Sequence, residues 1–499
     1  MELCAVCREP TDSAEGSSDC SFCFANYYSE VPSANGSAAL NCAACPGSAT
    51  CAPNTTLATL NLTRNHWRLS PRSRQITACE QGAEGSACAG GTSSGIEGDG
   101  YCLPGHRGPR CQICDQSARK QFFNVRRGIC SDCPPLDLSF PLIGIVSVVA
   151  LLLSGVLYWI ARSGSHSSHC MAVVTLSMNR VWRRIKDLAL MAKLKILIVY
   201  LQIVLDVPET YGVELPPTYR RIMRDALAWI DLDWTRLVVP GECLSGGFDG
   251  RLLLRGLVPL GAAVALFLAN TVLVMTSQAR TVAGNEYGVL MRALLLSLPL
   301  ILFASFCLTP GVSAGIFRAW SCDEYVADDS GDPVVTEAFL SADLRVRCGS
   351  ERHRHIQTLA TAFVFLWPVF WPLCYIILLL ICRHSIVGQQ RTALQQATRF
   401  LHQDYRIWWW EPLLLIQRLT VTGFVRLFDM NDSLRLFVGL LIVQAYCLLL
   451  AIVRPYRRRA VGGLAVCALC PQPAGCLLVL MRVLALYSPR SIGCTGVRR

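Results

Sequence analysis

The chain has 499 residues, 52% of them hydrophobic and 16% charged, with a net charge of +11 and a mean hydropathy of +0.38. Soluble domains carry about 25% charged residues, so an ordinary soluble protein is excluded. The basic residues lie in short clusters between apolar runs, which excludes a nucleic-acid-binding stripe.

The 26 cysteines divide the chain, and fourteen of them precede residue 134. These are Cys4, Cys7, Cys20, Cys23, Cys42, Cys45, Cys51, Cys79, Cys88, Cys102, Cys111, Cys114, Cys130 and Cys133. No apolar run in this stretch is long enough to form a core. Covalent links must stand in for burial, each stabilising by about 2–4 kcal/mol. Cys-x-x-Cys occurs five times here, a spacing that also suits tetrahedral zinc. Against zinc, Cys51, Cys79, Cys88 and Cys102 fall outside such pairs. The sequons at Asn35, Asn54 and Asn61 act only on the lumenal side. Residues 1–134 are therefore read as a small extracellular domain of disulfide-linked loops and β-hairpins. No basic or apolar leader opens the chain, since Met1-Glu-Leu-Cys4 begins inside the cysteine pattern. A signal peptide is expected to be missing from this sequence, or the first span acts as a reverse anchor.

From residue 135 to 457 the pattern is that of an all-α polytopic membrane bundle. A helix needs about 20 apolar residues to cross the hydrocarbon. Runs that satisfy this lie near 139–161, 188–206, 252–276, 289–309, 358–382, 411–428 and 434–453, with a weaker eighth near 463–487. Seven or eight transmembrane helices are thus expected, with 458–499 an atypical C-terminal segment. With the N-terminus outside, the inner segments collect Arg180, Arg183, Arg184, Arg383, Arg399, Arg457 and Arg458, whereas one outer loop holds Asp323, Glu324, Asp328, Asp329, Asp332, Glu337 and Asp343. This asymmetry orients the chain. The same outer loop carries Cys322 and Cys348, a candidate disulfide. Met171 to Lys195 reads as a basic amphipathic helix on the inner leaflet or as a plain positive-inside anchor.

Charges within spans are costly and mark buried pairing or function. The sixth span opens Trp408-Trp409-Trp410-Glu411-Pro412 and continues to Gln417-Arg418 and Arg426. Glu411 and Arg418 are two helical turns apart and share a face, so they are the candidates for an intramembrane polar network. Arg426 near the outer end reads as a snorkelling side chain. There is no phosphate-binding Gly loop, metalloprotease helix or nucleophile elbow, and His353 and His355 read as solvated loop residues. No enzyme, cofactor or metal site is expected.

Gly100-Tyr-Cys102-Leu-Pro-Gly105-His-Arg-Gly108-Pro-Arg-Cys111-Gln-Ile-Cys114 resembles the second half of a laminin-type EGF module, with glycines where the chain turns between half-cystines. A wider resemblance covers roughly residues 40–457. Cys42-Ala-Ala-Cys45-Pro46-Gly47 through Cys51, followed by Trp67-Arg68, and Leu194-Lys-Ile-Leu-Ile-Val-Tyr-Leu-Gln202 belong to it. So do Ile230-Asp-Leu-Asp-Trp with Cys243, Phe317-Arg-Ala-Trp-Ser-Cys322, Phe400-Leu-His-Gln-Asp404-Tyr405 and Arg454-Pro455-Tyr456. Together these are similar to a protist and algal family in which a cysteine-rich, ephrin-receptor-like or EGF-like ectodomain precedes a transient-receptor-potential-like membrane region. The family usually continues with further apolar helices beyond the Arg-Pro-Tyr element, and this chain departs from that pattern.

The expected function is that of a channel-like or sensory plasma-membrane protein. The alternatives are a receptor or adhesion protein whose helices only anchor and signal, and a truncated, inactive gene fragment. The expected partners are the lipid bilayer, an extracellular protein or glycan ligand, and further copies of the chain in a homo-oligomer, with no nucleic acid.

Overall fold

The computed structural model describes residues 7, 10–12, 20–30, 41–117, 120–133, 190–211, 243, 247–278, 288–329, 333–390, 392–428 and 432–469. The first expected span, Ile230–Trp234, the sequon at Asn35, Cys4 and the residues from 470 onward lie outside them. The chain divides into two compact units. One is drawn from Met1–Ser139, Thr235–Arg251 and Ala319–Thr358, and the other from Phe140–Trp234, Leu252–Arg318 and Leu359–Arg499.

The first unit is built from short antiparallel hairpins, because cysteines and turn residues recur too often for longer strands. Every sheet among the described residues is two-stranded. Among the described residues seven disulfides hold the N-terminal part: Cys7–Cys20, Cys23–Cys42, Cys45–Cys51, Cys79–Cys88, Cys102–Cys111, Cys114–Cys130 and Cys133–Cys243. An eighth, Cys322–Cys348, closes the acidic loop. Among the described residues no Cys-x-x-Cys pair is joined to itself; the pairs Cys20/Cys23, Cys42/Cys45, Cys111/Cys114 and Cys130/Cys133 each bond to two different cysteines. Gly105 (φ 83°) and Gly108 (φ 68°) turn the chain between Cys102 and Cys111. A Cβ at Gly108 would strike Ile113 at 2.4 Å.

The small core of this unit centres on Trp67 and Arg68, both without solvent exposure. Trp67 donates from Nε1 to the Gly98 carbonyl at 3.0 Å. The Arg68 guanidinium donates to the Tyr101 hydroxyl at 2.8 Å and to the carbonyls of Leu57, Ala58, Pro71 and Ser73. A buried cation is tolerable when its donors are met in this way. The Trp-Arg pair therefore rivets the segments 57–58, 71–73 and 98–101 around a small apolar core.

The acidic loop belongs to the same unit. Its strands, Cys322–Asp328 and Val335–Leu340, form a bulged hairpin. Tyr325 meets the Trp67 ring edge-on at 5.4 Å. Val326 donates its N–H to Gln75, Arg72 pairs with Asp328 at 3.1 Å, and the Arg74 amide reaches Asp329. The boundary expected at 134 thus falls inside a larger body, because the 322–348 loop and Cys243 complete its core and its crosslinks.

Asp343 secures a second junction in this unit. It accepts from the Phe248 amide at 3.2 Å and from Arg345 at 2.8 and 3.0 Å. Burial alone would raise its pKa. The Arg345 hydrogen bonds and the Arg345 and Arg251 charges outweigh burial and hold it below the usual 3.8. A depressed native pKa gives stability that is present above the unfolded value and is lost as pH falls through the native one. Hydrogen exchange at the Phe248 amide is expected to be flat with pH above 3.8, after correction for intrinsic rate, and to accelerate below it. Asp343→Asn should show the faster exchange at every pH; a variant as protected as the parent would disprove this role.

The second unit is helical. α1 spans Leu190–Tyr211, α2 Phe248–Gln278 (its first turn lying in the other unit), α3 Val289–Phe317, α4 Glu351–Val364 (in the other unit as far as Thr358), α5 Phe370–Val387, α6 Ala393–Ala397, α7 Arg399–His402, α8 Trp410–Thr422, α9 Asp432–Val453 and α10 Arg459–Leu469. A π turn at Phe365–Val369, containing Pro368, joins α4 to α5. A proline without an N–H favours such a break in the ladder.

Among the described residues, four helical segments are long and apolar enough to cross a membrane: Phe248–Met275, Val289–Trp320, Glu351–Val387 and Ser433–Val453, with mean hydropathies of 2.2, 2.1, 2.4 and 2.7. Their pattern is inside-out. On α2, Leu268, Val272 and Met275 are each more than half exposed, while Asn270 is buried and donates to Ser297 at 3.0 Å. Apolar side chains outward and polar groups inward are what a hydrocarbon solvent selects. The protein is a membrane protein with a disulfide-rich N-terminal region. The stretches expected at 188–206 and 411–428 form α1 and α8, whose buried charges lower their apolarity. The remaining expected spans fall wholly or largely outside the described residues.

Candidate functional site

The sequence of α1, α3 and α8 repeats polar residues every fourth position inside apolar runs. Gln202, Asp206 and Thr210 do so on α1, and Ser305, Thr309 and Ser313 on α3. Arg418 and Thr422 do so on α8, with Arg426 in the 3-10 turn after it. A four-residue repeat keeps side chains on one face of a helix. All nine are buried, and the three helices pack against one another. The three stripes meet as a polar seam within the bundle.

Two further charges extend the seam, Lys195 on α1 and Glu411 at the start of α8, which are 4% and 1% exposed. Lys195 Nζ lies 3.6 Å from Glu411 and 3.8 Å from Asp404. Arg418 donates to the Gln202 side chain and stacks 4.8 Å from the Phe306 ring. Arg426 donates to Thr210 at 2.8 Å. These three cross-helix pairs share one sequence offset: 411 − 195 = 216, and the other two are also 216 apart. A constant offset means that α1 and α8 run parallel and in register. Gln202 also donates to the Cys307 carbonyl at 2.9 Å, and Phe317 packs on Phe424 at 4.9 Å, so α3 runs the same way. α9 runs opposite, with Tyr446 beside Trp410 and Gly439 against Tyr211.

The seam is incompletely satisfied. Both Glu411 carboxylate oxygens, Arg418 Nε and Nη1, and the Thr309 and Ser313 hydroxyls make no hydrogen bond. Buried groups of this kind are expensive, more so in hydrocarbon.

Glu411 and Arg418 both belong to the seam, but no direct ion pair joins them. Seven residues separate them by about 10 Å along the helix axis, too far for contact. The ionic partner of Glu411 is Lys195, which the sequence places at the end of an inner-leaflet helix and the structure places in α1; residues 171–189 lie outside the described residues. Arg426 is buried rather than snorkelling. Lys195 carried a usable signal, because it sits in Leu194-Lys-Ile-Leu-Ile-Val and precedes Gln202 by the same seven residues that separate Glu411 from Arg418.

At the Lys195 end the two distant sequence elements meet. Arg406 N–H donates to Pro455 at 2.6 Å, the Arg457 amide to Asp404 at 3.1 Å and Arg457 Nε to Tyr405 at 2.7 Å. The Tyr405 and Tyr456 rings lie 5.2 Å apart.

Cys322, Cys348 and His353 converge within 4.8 Å, a metal-like grouping. The cysteines are disulfide-bonded, however, and both His353 nitrogens are engaged. Nδ1 accepts from the Gly349 amide at 3.0 Å, and Nε2 donates to the Ala319 carbonyl at 3.0 Å. His353 is thus a buried structural residue on α4, not a solvated loop residue. Asn54 and Asn61 are exposed, Asn54 in a turn at φ 63° and Asn61 donating its side-chain amide to Thr50.

No family model, curated protein or solved structure matches the chain. Its function must be argued from its own residues.

Proposed function

We propose that the chain is a channel-like or sensory protein of the plasma membrane, with seven or eight spans and its disulfide-rich domain outside the cell. The observation that carries this reading is the polar seam. Helices that only anchor have no use for Lys195, Glu411, Arg418 and Arg426 buried in one column, where Glu411 and Arg418 carry polar atoms without a hydrogen bond. Intramembrane charges of this kind ordinarily mark ion pathways or sensors.

The parallel run of α1, α3 and α8 supports alternate crossings, one span lying between each successive pair. The Lys/Arg asymmetry supports the outward N-terminus. The backbone passes between the two units after Ser139, Trp234, Arg251, Arg318 and Thr358, so a load on the cysteine-rich unit has five covalent routes into the bundle. The reading is non-catalytic. It gives the ectodomain a protein or glycan ligand and the bundle a lipid and homo-oligomeric setting, in keeping with the resemblance to the algal channel-like family. Sequons Asn54 and Asn61 are its proposed glycosylation sites.

The second reading, a receptor or adhesion protein, is favoured by the way the 322–340 hairpin completes the cysteine-rich unit. The discriminating experiment is whole-cell current in cells expressing the full chain, with surface labelling in parallel. Current altered by Arg418→Gln at unchanged surface level supports conduction or sensing. Surface-labelled protein without current across voltage, stretch and ligand steps favours the receptor.

A further inference from the structure

The surroundings of the Lys195 ammonium are those of a receptor for a small cation whose ligand is part of the chain. Nζ donates to the Phe400 carbonyl at 2.5 Å. Two carboxylates stand at ion-pair range, Glu411 at 3.6 Å and Asp404 at 3.8 Å. Three rings surround it, with centroids at 3.6 Å for Phe400, 5.7 Å for Phe306 and 6.0 Å for Tyr405. Carboxylates, a carbonyl and aromatic faces together are the chemistry that recognises ammonium groups.

A second observation points to a ligand. Glu411 is 1% exposed and neither of its oxygens makes a hydrogen bond, and Asp404 Oδ2 makes none either. The carboxylate charges are met by Lys195, but their acceptor capacity is not. An ammonium has three N–H donors, and the lysine spends one on Phe400. An untethered cation could settle between all three oxygen groups.

We propose that Asp404, Glu411 and the Phe400 carbonyl form a binding site for small monovalent cations, primary ammonium or alkali ions, and that Lys195 is its tethered occupant. A mobile cation enters only when the tether is withdrawn. This holds whether or not ions cross the membrane, so it stands apart from the channel reading.

Lys195→Ala removes the tether and keeps the site. The purified full-length variant is melted in N-methylglucamine chloride, then in methylammonium, sodium or potassium chloride at equal ionic strength. It is expected to melt below the parent in the bulky salt and to recover by several degrees, saturably, with methylammonium or a small alkali ion. The parent should not respond. Adding Glu411→Gln to Lys195→Ala should abolish the saturable recovery. If the alanine variant fails to reach the cell surface, methylammonium in the medium is expected to raise its surface level several-fold, which reads the same chemistry. A variant indifferent to all three cations in both assays overturns the proposal. So does a parent that responds as strongly as the variant.

Discussion

Lys195→Met alone is expected to destabilise the helical unit by about 3–5 kcal/mol, the usual result of removing one partner from a buried charge pair. The loss comes from what is left behind. Glu411 is left with almost no solvent and no hydrogen bond, and loses the ammonium at 3.6 Å. Asp404 is less affected, because its side chain retains 19% exposure. Glu411→Leu on the parent should cost less, since it leaves Lys195 with Asp404 and a carbonyl. Combining Lys195→Met with Glu411→Leu is expected to recover most of the stability, because buried pairs replaced by apolar residues of similar volume are often neutral or better. Thermal unfolding of the four proteins in nanodiscs closes the double-mutant cycle. Losses that simply add would refute the pairing. The methionine variant keeps most of the packing of the lysine stem, so the comparison reads charge rather than volume.

Cys243→Ser is expected to cost about 5 kcal/mol in the loop-entropy account, because the bond to Cys133 closes a loop with a sequence separation of 110. Pairing Cys133→Ser with it avoids a stray thiol. The link itself is read by inserting a protease site between residues 134 and 242. Without reductant the two cut fragments should migrate together, and with reductant they should separate. In the double serine variant they should separate in both. Fragments of the parent that part without reductant would rule the bond out.

Hairpins and helices follow from what sequence patterns encode best. Cysteine density with turn residues gives disulfide-linked hairpins, and apolar runs give α2, α3, α5 and α9. Glu411 and Arg418 were visible because a charge inside an apolar run is conspicuous. Their partners were not. Gln202, Thr210, Thr309 and Ser313 are uncharged, and their four-residue repeat acquires meaning only when three helices bring their stripes together. Lys195 has a signal of its own inside an apolar run, but the basic stretch before it, which reads as an anchor, outweighs it. Disulfide connectivity cannot be deduced from spacing, so Cys243 as the partner of Cys133 had no local signal. The contact of Tyr325 with Trp67 joins residues 258 apart (325 − 67), a separation that no window on the sequence spans.

The common offset of 216 limits how α1 and α8 can move. A vernier whose marks coincide at three places is displaced everywhere by a single slip. Sliding α8 along α1 by one turn, about 5.4 Å, would carry Glu411, Arg418 and Arg426 off their partners at the same moment. Axial travel therefore meets one steep wall rather than a staircase of small barriers. A rotation of α8 about its own axis, or a tilt pivoting near Arg418, can instead release one mark while the others stay aligned. If this bundle switches between states, its soft coordinate is angular.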